Sequence, residues 1–433
     1  MKQIFFILSL ILTISTASAQ EFSTYFTDST MRLDYNLIGN ARQQTIALNE
    51  IVEIEGWAGR RVNLDKVPVR GNGEIKVSDS QSGATIYRNS FSTLFQEWVI
   101  TDEAELLTKS FEATMLIPYP HKSVDIEISL FDNKGVITAN LRHTVNPEDK
   151  LIRRTKHTSA TTPQHQYLLQ SGTDEECIDV VILSEGYTSQ EMDTFLSDAR
   201  TACDEILSYA PFNTLKERFN FIAVMLPSQD SGVSVPQDGV WKSTALGSNF
   251  MTFYSPRYLT TNNVHQMHDL ISGIPCEHII ILANTTTYGG GGIYNSYTLT
   301  TAHNPMFKPV VVHEFGHSFA GLGDEYFYEQ IDHTEGTYDL SYEPWEQNIT
   351  SLVDFKSKWE DMLPAGYTVP TEPTDERKAN YTVGVYEGGG YITKGMYRPA
   401  VICRMRDNVA TQFCPVCQRA IERIIRFHVE QQK

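Results

Sequence analysis

Residues 310–326 read Val-Val-Val-His-Glu-Phe-Gly-His-Ser-Phe-Ala-Gly-Leu-Gly-Asp-Glu-Tyr, and no other stretch restricts the fold so strongly. The apolar run and the glycines at 321 and 323 predict a buried helix that ends just beyond His317. His313 and His317 are four residues apart, so their imidazoles leave one face of that helix, one turn apart. Glu314 lies beside them. A helix that only fills a core has no use for His-Glu-His on adjoining faces, because each polar group there needs a partner.

Two imidazoles at this spacing match two nitrogen ligands of one tetrahedral zinc, at about 2.0–2.1 Å. Glu314 is placed to reach a water beside the metal rather than the metal itself, as a general base. A catalytic zinc takes three protein ligands and keeps one position open. Asp324, just past the glycine turn, is the leading third ligand and Glu325 the alternative; a Glu on a later helix is also compatible with the spacing.

The segment HEFGHSFAGLGDEY resembles the signature of the IgA-specific zinc metallopeptidase family, a metzincin-like group of secreted bacterial endopeptidases. The resemblance extends through Ile182-Leu183-Ser184-Glu185-Gly186-Tyr187-Thr188 and Tyr288-Gly289-Gly290-Gly291-Gly292. It also takes in Tyr397-Arg398-Pro399, Cys403-Arg404-Met405-Arg406 and Phe413-Cys414-Pro415-Val416-Cys417, so that it covers roughly residues 170–425. It implies His313 and His317 as zinc ligands, Glu314 as catalytic base and a third ligand in the glycine-rich turn. Met405 resembles the methionine turn that packs beneath the zinc in such enzymes. Relative to the wider pattern HExxHxxGxxH, Gly321 and Asp324 each fall one place late, and Asp replaces His. An anionic ligand makes the zinc a weaker Lewis acid than three neutral imidazoles would.

The rest of the chain divides around this segment. The first nineteen residues read as an export signal, with Lys2, an apolar run and Ala17-Ser18-Ala19, which predicts a secreted, periplasmic or cell-surface protein. Residues 20–150 carry strand patterns, such as 74–78, 84–91, 124–131 and 136–144, and predict a β-sandwich. Residues 151–172 are polar and irregular and read as a linker. From residue 173 to 433 the pattern is α/β: 178–183, 219–226 and 278–283 read as central strands, and a helix capped by Ser189 runs through Ile206. An insertion is expected between Tyr326 and Tyr381. The expected architecture is thus an N-terminal β-sandwich followed by a metzincin-like domain with a mixed sheet and the HExxH helix.

The net charge of −18 argues against nucleic acid and anionic membranes as partners, and no stretch beyond the signal is apolar enough to cross a bilayer. Six cysteines in an exported chain predict disulfides, by default one involving Cys403. Cys403, Cys414, Cys417 and His428 could mimic a structural zinc site, but their spacing fits no standard pattern. Gly289–Gly292 read as a surface loop or as an edge strand for an extended substrate. Tyr391, Tyr397 and Arg398 are candidate oxyanion stabilisers, with Tyr397 placed first. His265 and His268 form an i, i+3 pair that reads as a polar helix face. The function expected is hydrolysis of peptide bonds in protein substrates with one zinc; host immunoglobulin as a substrate is implied only by the family resemblance. The alternative is a secreted protein- or glycan-binding module with a non-catalytic zinc.

Overall fold

A computed structural model describes residues 22–155, 162–328 and 338–431. The export signal expected at residues 1–19 lies outside them. Among the described residues no helix is long and apolar enough to cross a membrane.

The N-terminal part is built from two four-stranded sheets. One, in the order β5-β1-β2-β8, comprises β1 (Phe26–Gly39), β2 (Gln44–Glu55), β5 (Lys109–Pro120) and β8 (Arg153–Arg154). The other, β4-β3-β6-β7, comprises β3 (Gly73–Asp79), β4 (Thr85–Phe91), β6 (Val124–Phe131) and β7 (Ile137–Val145). Alternation puts Ile75, Val77, Ile126 and Ile128 on one face, where they join a core with Leu33, Tyr35 and Leu37. A short helix, α1 (Leu94–Trp98), crosses between β4 and β5, with the Thr93 hydroxyl accepting from the Gln96 amide at its start.

The stretch expected as a linker is narrower than 151–172. Arg153 and Arg154 pair in parallel with Val52 and Glu53, and β9 (His165–Gln170) already belongs to the following sheet. That six-stranded sheet has the order β13-β14-β12-β10-β11-β9 and includes β10 (Ile178–Glu185), β11 (Phe219–Val224), β12 (His278–Ala283), β13 (Gly290–Ile293) and β14 (Tyr297–Thr301). Strands β10, β11, β12 and β14 run parallel, and the two edges run antiparallel. The inner strands are buried at every position because one face packs on helices and the other on a core with Leu226, Leu246 and Phe250, which is why they read as unbroken apolar runs.

Helix α2 (Met192–Ser208) buries Phe195, Ala199 and Ile206. Its start differs from the sequence expectation: Thr188, not Ser189, forms the capping box, with the Glu191 carboxylate accepting from the Thr188 amide at 2.8 Å. Helix α3 (Val264–Leu270) packs on β5 and carries His265 and His268. They belong to the junction between the two halves: His265 Nε2 lies 3.1 Å from the Tyr35 carbonyl. Helix α4 (Phe307–Ala320) carries His313, Glu314 and His317 and rests on β13 and β14. A hairpin of β15 (Tyr386–Gly389) and β16 (Ile392–Arg398) and a final helix, α5 (Pro415–Val429), complete the chain.

The close seating of α4 depends on the glycine strand. A Cβ added at Gly292 would lie 2.3 Å from the Glu314 carbonyl oxygen and 2.8 Å from His317 Cβ, so only glycine lets helix and strand approach this far. Gly292→Ala is expected to cost about 1–3 kcal/mol, the usual penalty of an overpacked core, read as a lower thermal midpoint; an unchanged midpoint would show that the helix can draw back freely.

A pair of carboxyls sits at the other end of β10. Asp179 accepts from Asn220 Nδ2 at 3.0 Å, and Glu277 lies 3.1 Å from His428 Nδ1. Burial pushes both carboxyls up to about 8. The folded chain therefore keeps protons that the unfolded chain releases near pH 4, so this contribution to stability is fully present below about pH 4 and lost as the pH rises through about 8. Asp179→Asn, which copies the protonated shape, is expected to shrink the fall in urea midpoint between about pH 5 and 8. A fall as steep as wild type would refute the assignment.

Candidate active site

Helix α4 ends where its sequence requires. Gly321 adopts a left-handed conformation, φ 60°, and its amide donates to the His317 carbonyl at 2.9 Å. The chain then turns back under the helix, bringing Asp324 to the same side as the two imidazoles. Asp324 Oδ1 lies 3.0 Å from His313 Nε2 and 3.3 Å from His317 Nε2, and the two Nε2 atoms are 3.1 Å apart.

Both rings are fixed from behind. His313 Nδ1 faces the Arg404 carbonyl at 3.0 Å, and His317 Nδ1 faces the Leu322 carbonyl at 2.5 Å. Each Nδ1–H can only donate to a carbonyl, which leaves both Nε2 lone pairs aimed at the point Asp324 Oδ1 also faces. That oxygen is buried and makes no hydrogen bond. Ligands about 2.0–2.1 Å from a tetrahedral centre sit about 3.3 Å apart, so these three atoms fit one small cation. His313, His317 and Asp324 form such a group.

The electrostatics agree with the geometry. Burial alone would raise the Asp324 carboxyl, but the two imidazoles hold it well below the usual carboxylate range. Burial likewise opposes a charge on His317, yet Asp324 lifts it to about 9. Burial pushes Glu314 up, with the imidazoles acting in the opposite direction. The Glu314 side chain lies against β13: a Cβ at Gly290 would be 3.0 Å from its Oε1.

A second ring of residues holds the turn. Tyr391 Oη donates to Asp324 Oδ2. Tyr391 sits at φ 68°, an unfavourable region for a side-chain-bearing residue, and is kept there by its amide donating to the Tyr326 carbonyl at 3.0 Å. The neighbouring Gly390 amide donates to the Asp324 carbonyl at 2.8 Å. Asn348, from the insertion after Tyr326, brackets Gly323 with bonds of 2.7 and 2.8 Å. Met405 is fully buried beneath the helix, where a Cβ at Gly316 would lie 2.7 Å from its Sδ.

Not every candidate converges here. Glu325 turns away from the imidazoles and accepts from Asn348 Nδ2 at 2.9 Å. Tyr397 lies outside the cleft, its backbone paired with Thr350 on β16. Arg398 is buried and donates to the carbonyls of Glu387 and Gly388. The glycine run forms β13 and part of the cleft wall rather than a free loop. Cys403, Cys414 and Cys417 are not disulfide-bonded, nor are the other three cysteines, which corrects the expected bridge. His428 does not join them.

The cleft around the trio has a volume of about 780 Å³. One wall is aromatic, with Tyr326, Tyr328 and Tyr391 in mutual ring contact. The opposite wall comes from the N-terminal domain, where Glu97 on α1 accepts from Tyr258 Oη at 2.5 Å. Burial pushes Glu97 up to about 7. Sequence reasoning missed Glu97 because it lies more than 200 residues before the motif, within a strand-rich region. Only the tertiary fold brings it to the cleft.

A family model described as IgA Peptidase M64 matches residues 167–382 and 374–425, and one described as Peptidase M64 N-terminus matches residues 21–142. No curated protein gives a significant match. The matched segments take in both the sandwich and the sheet that carries the trio; the protein is a peptidase, and it belongs to the IgA peptidase M64 family.

Proposed function

We propose that the protein is a zinc metalloendopeptidase, exported by its N-terminal signal, with Glu314 as general base. The observation that supports this best is the convergence of His313 Nε2, His317 Nε2 and Asp324 Oδ1 within 3.0–3.3 Å of one another beside the half-buried carboxylate of Glu314. Two imidazoles and one carboxylate are a zinc donor set with room for a fourth position. Zinc held there supplies Lewis-acid polarisation of the scissile carbonyl and acidifies water.

The chain's own groups do the rest. Glu314 takes a proton from the attacking water as oxygen adds to the carbonyl carbon, and delivers it to the amine nitrogen as the C–N bond breaks. Its raised pKa suits both steps, since it is a stronger base than an exposed carboxylate. Tyr391 holds Asp324 in its ligating orientation. Tyr326 and Tyr328 offer flat apolar surfaces to a bound chain, and the N-terminal domain shapes the opposite wall through Glu97. A 780 Å³ cleft open between two domains suits a segment of polypeptide better than a small metabolite. A non-catalytic binding module accounts for neither the peptidase family nor a base poised beside three ligand atoms.

Zinc content and casein cleavage, measured for wild type beside Glu314→Ala, test this reading. The variant is expected to keep its zinc and lose about 10²–10⁴-fold in kcat, the usual worth of a positioned base; full activity in the variant would remove Glu314 from that role. Tyr391→Phe is expected to keep the fold and to weaken zinc binding about 10–100-fold, as loss of a ligand's outer partner does, followed by competition with a metal-sensitive dye. Unaltered affinity would show that Asp324 needs no support from Tyr391.

A further inference from the structure

Asp324 faces the imidazoles, and the next side chain, Glu325, faces the other way, into a chamber with three cysteines. Glu325, Cys403, Cys414 and Cys417 are each 0% exposed. Their ligand atoms all lie within 4.8 Å of one another. Cys403 Sγ and Cys417 Sγ are 3.7 Å apart, and Cys417 Sγ is 3.0 Å from Glu325 Oε1. We infer that Glu325, Cys403, Cys414 and Cys417 form a second, structural metal site that takes a tetrahedral thiophilic dication, zinc above all.

Two sulfurs at about 2.3 Å from a tetrahedral zinc lie about 3.8 Å apart, close to the separation found. A disulfide needs about 2.0 Å and would join two of the three sulfurs, leaving a thiol beside a buried carboxylate. That carboxylate is itself unusual. Glu325 Oε2 is buried and makes no hydrogen bond, so the group either holds a proton or is balanced by a cation, and three cysteine sulfurs beside it offer the remaining ligands for one. Cys414 and Cys417 stand at the N-cap and first turn of α5, where the helix dipole favours thiolates. Three thiolates and a carboxylate give four ligands and no open position, the mark of a structural centre.

The site is tied to the cleft by short stretches of backbone. Glu325 follows Asp324, and its amide donates to the Met405 carbonyl at 2.8 Å. Cys403 precedes Arg404, whose carbonyl holds His313. A metal bound by Glu325 and Cys403 thereby fastens both the Asp324 turn and the support of one imidazole, without touching substrate.

The test uses the full chain carrying His313→Ala and His317→Ala, which removes the cleft site, expressed in cobalt-supplemented minimal medium. One cobalt per chain is expected, with the intense near-ultraviolet absorption of thiolate-to-cobalt charge transfer, which a His/Asp centre lacks. Adding Cys414→Ser to that background is expected to abolish the band. The wild-type chain from zinc-containing medium is expected to hold two zinc ions and, after denaturation with chelator, to release six reactive thiols. A cobalt-free double variant, or a disulfide among Cys403, Cys414 and Cys417 in a non-reduced peptide map, would overturn the proposal. Neither readout depends on peptidase activity, so failure here leaves the role of Glu314 standing.

Discussion

Everything at this site depends on two backbone carbonyls. Those of Leu322 and Arg404 each meet one imidazole Nδ1 and so decide which nitrogen of each ring faces the cleft. The first belongs to the turn that ends the helix; the second comes from a loop 91 residues beyond His313. A rigid helix alone would place two histidines one turn apart without fixing their rings. The carbonyls turn proximity into a defined donor geometry, and the network of Tyr391, Gly390 and Asn348 does the same for Asp324.

That geometry rests on dense packing on the other side of the helix. Gly292 and Gly316 mark the two places where α4 meets its neighbours with no room for a side chain, the strand β13 above and Met405 below. The helix is held between these contacts, and Glu314 is half-buried against the strand. The same burial that raises its pKa also shields it from the water that would otherwise solvate its charge.

Local signals in the sequence were strong wherever one element decides the outcome. The spacing of His313 and His317, the glycine that ends their helix and the unbroken apolar strands 178–183 and 278–283 all correspond to features of the fold. The choice between Asp324 and Glu325 was not legible, because consecutive residues in an extended turn differ only in the side they face, and the hairpin and Asn348 decide that side. Tyr397 drew attention by lying near the motif's partners in sequence, but the strand directs it away and gives the Asp324 contact to Tyr391. The cysteine cluster was misread through its spacing, since its fourth member is a carboxylate from a distant turn rather than His428. Glu97 had no local signal at all.

The order of these parts along the chain has a consequence for when the protein can act. The cleft's far wall is made before the motif helix, and the loop carrying Arg404 and Met405 follows that helix. A chain emerging from its point of synthesis thus presents the histidines well before the carbonyl that aligns one of them. His313 is therefore oriented only once a segment made later has folded against the motif helix, so the donor geometry belongs to the assembled domain and to no earlier fragment of it.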